Sequence, residues 1–185
     1  MAGMDIVTVV VIVVVVLVVL ALGGVLLSRS RTKRSEHLQE RFGPEYDQAE
    51  REQGSRRKAE HELADREQRH EQLEIRDLDP GRRQEYADEW RRVQSQFVDQ
   101  PLDAVKEADG LVRTVMDDRG YPTDDAQRQA EGLSVEHPEV MDDYRAATAI
   151  TDASRTGTVT TEQLREAMLH YRSLFARLLG GDAHG

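Results

Sequence analysis

The 185-residue chain contains no cysteine. That excludes a disulfide framework, a thiolate zinc site and a cysteine nucleophile, and it fits a reducing compartment. Lysine is scarce as well: Lys33, Lys58 and Lys106 are the only three, so arginine carries nearly all the positive charge. No segment alternates apolar and polar residues with a period of two, which argues against a sheet. A Gly-x-Ser-x-Gly nucleophile elbow, a phosphate-binding glycine-rich loop and a His-Glu-x-x-His unit are all absent. The six histidines (His37, His61, His70, His137, His170 and His184) include no pair four residues apart. Glu166 and His170 lie one helical turn apart and are expected to form a surface ion pair. Adjacent acids such as Asp117-Asp118, Asp124-Asp125 and Asp142-Asp143 point in different directions on a helix, so they are expected on solvated faces and at helix starts. On this reading the chain is not an enzyme and takes no cofactor and no metal.

What the chain does have is Ile6–Leu27, 22 residues without a charge and dominated by valine. A bilayer core of about 30 Å is crossed by about 20 apolar helical residues. Valine is a mediocre helix former in water, but in lipid every backbone polar group must pair within the segment, which a helix achieves. A cleaved signal peptide would begin with basic residues and have a shorter apolar region. Here the run is preceded by Asp5 and followed by Arg29, Arg31, Lys33 and Arg34. Basic residues flanking a span stay in the cytoplasm. The expectation is a single-pass anchor over residues 1–27 in the plasma (inner) membrane, with the N-terminus outside and the C-terminal part in the cytoplasm. The basic collar, residues 28–34, is expected to contact the membrane surface.

The other 158 residues divide by charge. Residues 51–76 hold seven acids and seven bases, whereas residues 99–153 hold 14 acids and five bases. The second region repels phosphates and an anionic leaflet, which argues against nucleic acid as a partner and in favour of a basic protein. Ser35–Phe42 is expected to form a short helix stopped by Gly43-Pro44. From Glu45 to Arg76 good helix formers predominate, and Glu52–Arg56, Glu62–Arg66 and Asp65–Arg69 have the acid-then-base spacing of four. Ala59, Leu63, Leu73 and Ile75 keep no heptad, so residues 35–77 read as a solvated helical stalk, whose part from Glu45 to Arg76 is about 50 Å long if fully helical.

Residues 78–182 read as an acidic bundle of four or five helices, making the fold all-α. Asp79-Pro80 opens a helix in which Tyr86, Trp90, Val93 and Phe97 share a face. Pro101 opens a second helix, with Val105, Ala108, Val112, Val115 and Met116 buried; Gly120, Tyr121 and Pro122 end it in a left-handed cap. A shorter helix is expected near Asp124–Leu133. Another starts at Pro138, with Val140, Tyr144, Ala147 and Ile150 inward. The last spans Thr161–Leu179, striped by Leu164, Met168, Tyr171, Phe175 and Leu178.

Between the last two helices, residues 152–163 resemble a degenerate EF-hand loop. Asp152 stands at position 1, Gly157 at position 6 and Val159 at position 8, but Ser154, Thr156 and Gln163 replace the other carboxylate ligands. The same residues are explained by a capping box between Thr160 and Gln163, with Val159 and Leu164 as its hydrophobic staple. The stretches Arg41–Tyr46, Arg113–Pro122 and Leu133–Pro138 are similar to segments of a family of uncharacterised, membrane-anchored bacterial proteins, mostly actinobacterial. The resemblance covers residues 35–180; it implies a single-pass architecture and no activity. The function expected is a membrane-tethered interaction or scaffold protein. An EF-hand-like sensor or an enzyme of unrecognised type is the alternative.

Overall fold

The computed structural model describes residues 32–157 and 159–180, and their regular secondary structure is entirely helical, without a strand. The apolar run Ile6–Leu27 and the collar residues Arg29 and Arg31 lie outside them. Among the described residues no helix is long and apolar enough to cross a membrane. The described residues 32–42 are helical (α1) and include the helix expected over Ser35–Phe42; Lys33 and Arg34 are exposed on it.

The remaining helices belong to one compact unit beginning at Phe42. They are α2 (Pro44–Gln53), α3 (Arg56–His70), α4 (Pro80–Gln96), α5 (Pro101–Asp118), α6 (Ala126–Glu136), α7 (Met141–Arg155) and α8 (Thr161–Leu178). Pro138–Val140 is a single 3-10 turn, so the helix expected from Pro138 begins three residues later. The region 78–182 thus contributes five α-helices.

α5 lies at the centre, packed on α4, α7 and α8. Its buried face is Ala104, Val105, Ala108, Leu111, Val112, Val115 and Met116, the stripe expected plus two residues. Trp90 of α4 is 6% exposed and stacks on Phe175 of α8, with ring centroids 4.8 Å apart and planes 17° from parallel. Such a pair adds about 1 kcal/mol to the burial of its area. The Tyr171 hydroxyl sits inside this core and donates to Asp109 at 2.9 Å, with Thr151 also at 2.9 Å. Burial, with the Asp109 charge, therefore pushes this phenol far above its usual range.

Helix ends follow their local chemistry. The Asp79 carboxylate accepts from the backbone of Gly81 and Arg82 at 2.8 and 3.0 Å, and Asp125 accepts from Arg128 at 2.9 Å. Between α7 and α8 the expected capping box is formed: Gln163 N–H donates to Thr160 Oγ1 at 3.2 Å, and Thr160 N–H donates to Gln163 Oε1 at 2.8 Å. Thr160→Ala should destabilise the unit by about 1 kcal/mol, measured by urea unfolding.

The stalk expected over residues 35–77 is not what the chain forms, and the unit does not begin at Leu78. Gly54 takes a left-handed conformation (φ 61°) and ends α2, so α3 turns back against α2. Ala49, Ala59 and Leu63 are buried, and the Tyr46 hydroxyl donates to Glu60 at 2.8 Å. The helical hairpin also packs on the rest of the unit, α3 against α6 and α2 against the 3-10 turn. Arg145 of α7 grips Glu45 of α2 with two bonds of 2.6 Å, although the residues are 100 positions apart. Of the three spaced pairs, only Glu62–Arg66 forms, at 3.1 Å. Gly54 separates Glu52 from Arg56, which binds Glu60; Asp65 takes His61, and Arg69 reaches Glu131 of α6. Because Glu45 is 2% exposed, Arg145→Met leaves a carboxylate sealed without its cation. A loss of about 2 kcal/mol is expected in the same unfolding assay.

Candidate functional site

The densest gathering of ionisable side chains lies where α5, α6, α8 and the segment after α3 meet. Its organiser is Arg119, the residue that ends α5, 6% exposed. Its guanidinium donates to Glu136 Oε1 at 3.0 Å and to the Leu178 carbonyl at 3.2 Å; it reaches the Arg76 carbonyl at 3.4 Å. His137 Nε2 lies 3.4 Å away, and His137 Nδ1 lies 3.1 Å from Arg177 Nε. Tyr121 donates a short hydrogen bond to the other oxygen of Glu136, and His70 Nε2 stands 3.7 Å from that same oxygen.

Gly120 makes this meeting possible. Its φ of 92° places the Gly120 N–H on the Asp117 carbonyl at 2.8 Å and the Tyr121 N–H on the Met116 carbonyl at 2.9 Å. This is the two-bond left-handed cap expected from Gly120-Tyr121-Pro122. The segment after α3 crosses directly over it: Arg76 N–H donates to the Arg119 carbonyl at 2.9 Å, and Arg76 Nε donates to the Asp118 carbonyl at 2.7 Å.

Burial alone would raise the Glu136 carboxyl. The neighbouring His70 and Tyr121, with the charge of Arg119, outweigh it and bring the group down to about 2. Burial lowers His137, as do Arg119 and Arg177, against the opposing pull of Glu136 and Glu139. A group whose folded value is depressed stabilises the fold above its unfolded value and loses that contribution on acidification. His137 therefore favours folding above its ordinary 6.5, and Glu136 above its ordinary 4.5. Stability is expected to fall in two stages, first below pH 6.5 and then from about pH 4.5 towards 2. His137→Gln should flatten the first stage and spare the second, as read from urea midpoints between pH 7.5 and 3.5.

Beside this cluster a cleft of about 280 Å³ opens between α3 and α6. Arg66, Arg69, His70 and Arg128 line it, over a floor that includes Leu73 and Pro122. Arg69 bridges it to Glu131 at 2.9 Å. Neither feature was visible in residue spacing: Arg69 and Glu131 are 62 positions apart, and Arg119 and Glu136 are 17 apart.

The residues singled out from sequence fare differently. Lys33 and Arg34 are exposed on α1, and Arg29 and Arg31 lie outside the described residues. His170 pairs with Asp143 of α7 at 2.7 Å in place of Glu166, because the facing helix presents a closer carboxylate. Asp118 does more than face solvent: Arg82 reaches it at 2.6 Å and the Tyr86 hydroxyl donates to it, tying α4 to α5. In the loop resembling an EF-hand, α7 continues to Arg155 and takes Asp152 and Ser154 into the helix. Asp152 pairs with Arg155 at 3.6 Å, Ser154 and Thr156 donate to the Thr151 and Ala153 carbonyls, and Gln163 caps α8. Among the described residues no group of three or more His, Asp or Glu is placed to hold a metal ion. No protein-family model matches the chain, and neither a curated protein nor a solved structure does.

Proposed function

We propose that the chain is a membrane-tethered interaction protein without catalytic activity. The observation that carries this reading is the charge-free run Ile6–Leu27 followed by Arg29, Arg31, Lys33 and Arg34. On this reading the run is a single-pass anchor in the inner membrane, the four basic residues rest on the cytoplasmic leaflet, and the helical unit stands in the cytoplasm. The unit meets a basic protein partner through the acidic excess of residues 99–153, 14 acids against five bases. Exposed carboxylates at Asp99, Asp103, Asp142 and Asp152 belong to this region, and the 83%-exposed Val98 stands at its edge. The sensor alternative is weakened by the loop at residues 152–163, whose ligand-type side chains are occupied by helix and cap bonds. Proximity labelling in cells, with the labelling enzyme fused after Gly185, tests the proposal. Cytoplasmic neighbours that are lost when Asp99, Asp103, Asp142 and Asp152 are changed to Asn support it. A neighbour set unchanged by those substitutions contradicts it.

A further inference from the structure

The geometry points to the cleft between α3 and α6 as a binding site for a small phosphomonoester. This site is independent of the membrane tether. Three arginines line one concave surface from two helices, Arg66 and Arg69 from α3 and Arg128 from α6. Each carries five N–H donors, and most are unspent. Among the described residues Arg66 uses only Nε, on Glu62; Arg69 uses Nη2, on Glu131 and Glu62; Arg128 uses side-chain Nη2, on Asp124. Nη1 of all three arginines therefore remains available to an incoming oxygen. The Arg128 and Asp124 side chains are 56% and 64% exposed, so water already weakens that pair and the arginine is free to turn inward.

His70 forms part of the wall, and its Nε2 is sealed from solvent without a hydrogen-bond partner. That nitrogen stands 3.7 Å from Glu136 Oε2, which ties the wall of the cleft to the neighbouring Arg119 cluster. Leu73 and Pro122 supply an apolar floor for the ligand's body.

The charge balance selects the ligand. Glu62, Glu131 and Asp124 already pair with the three guanidiniums, so an incoming anion must compete with carboxylates, and a monoanion gains little by replacing one. A phosphomonoester brings close to two negative charges and three acceptor oxygens, which donors approaching from two helices can share. Guanidinium forks match phosphate geometry with paired bonds. At about 280 Å³ the cleft has room for the phosphate and a body near the size of a phenyl ring.

Phenyl phosphate is the probe, titrated calorimetrically into the full chain in maltoside micelles and phosphate-free buffer. Saturable binding is expected, with benzoate at least tenfold weaker. The Arg66→Gln/Arg128→Gln double variant should weaken phenyl phosphate at least tenfold, while Arg165→Gln, which alters a pair with Glu162 outside the cleft, should leave it unchanged. A folding-independent readout uses the unmodified chain: phenyl phosphate should protect Arg66, Arg69 and Arg128, and not Arg165, from phenylglyoxal, mapped by mass spectrometry. Nanodiscs containing phosphatidic acid distinguish the source. Displacement of phenyl phosphate by them identifies a lipid headgroup, and unaltered binding identifies a soluble ligand. Absence of saturable binding, equal affinity for benzoate, or equal modification of all four arginines with and without the probe would overturn the proposal.

Discussion

Arg119→Met is expected to destabilise the helical unit by about 3 kcal/mol. The guanidinium bonds Glu136, the Leu178 carbonyl and the Arg76 carbonyl, so its loss strands one carboxylate and leaves two helix-end or loop carbonyls without their donor. The carboxylate dominates, because a partly buried charge (26% exposed) that loses its counter-ion costs more than a lost neutral hydrogen bond, although the Tyr121 hydroxyl still donates to it. Arg119→Lys should recover less than half of the loss: a point ammonium cannot reach three acceptors on separate elements at once. Trp90 is the only tryptophan and lies in the core, so its fluorescence follows unfolding of this unit alone during a urea titration of the full chain in micelles. In the double variant Arg119→Met/Glu136→Gln the two costs should not add, since the second change removes the charge that the first strands.

Gly120→Ala is expected to cost about 3 kcal/mol, from two independent sources. A left-handed conformation costs an L-residue roughly 1–2 kcal/mol. In addition, a Cβ at Gly120 would stand 2.4 Å from the Glu74 carbonyl oxygen, which is backbone and cannot rotate aside. The segment carrying Arg76 must then lift off the end of α5, releasing the bonds to the Arg119 and Asp118 carbonyls. Gly110 provides the contrast. It lies inside α5, and a Cβ there meets nothing within 4 Å. Gly110→Ala should stabilise the unit by about 0.5–1 kcal/mol, so two glycine-to-alanine changes ten residues apart have opposite signs.

The helices that were legible in the sequence are those whose ends and faces are decided locally. Asp79-Pro80, Gly120-Tyr121-Pro122 and Thr160–Gln163 each contain the whole of a cap within a few residues, and each formed as expected. The faces of α4, α5 and α8 were legible because Trp90, Val112 and Tyr171 each sit in a dense apolar stripe. The α2–α3 hairpin was not, because Ala59 and Leu63 are the only residues buried on α3 and two positions set no period. What attaches that hairpin is long-range and polar, Glu45 to Arg145 and Arg69 to Glu131, and no local pattern announces such pairs. The same holds for the site. Arg66, Arg69 and Arg128 look in sequence like arginines of solvated helix faces, and only the packing of α3 on α6 turns them toward one cleft.

The natural absence of cysteine makes the tether directly measurable. Two single-cysteine variants, Ala2→Cys and Val98→Cys, are exposed to a membrane-impermeant maleimide in intact cells stripped of any outer barrier. Val98 is 83% exposed in the folded unit, so the fold itself does not shield it. The expected result is labelling at position 2 in intact cells, labelling at position 98 only after lysis, and both variants in the membrane pellet after alkaline washing. Labelling at position 98 in intact cells, or recovery of the chain in the wash, would contradict a cytoplasmic unit held by Ile6–Leu27.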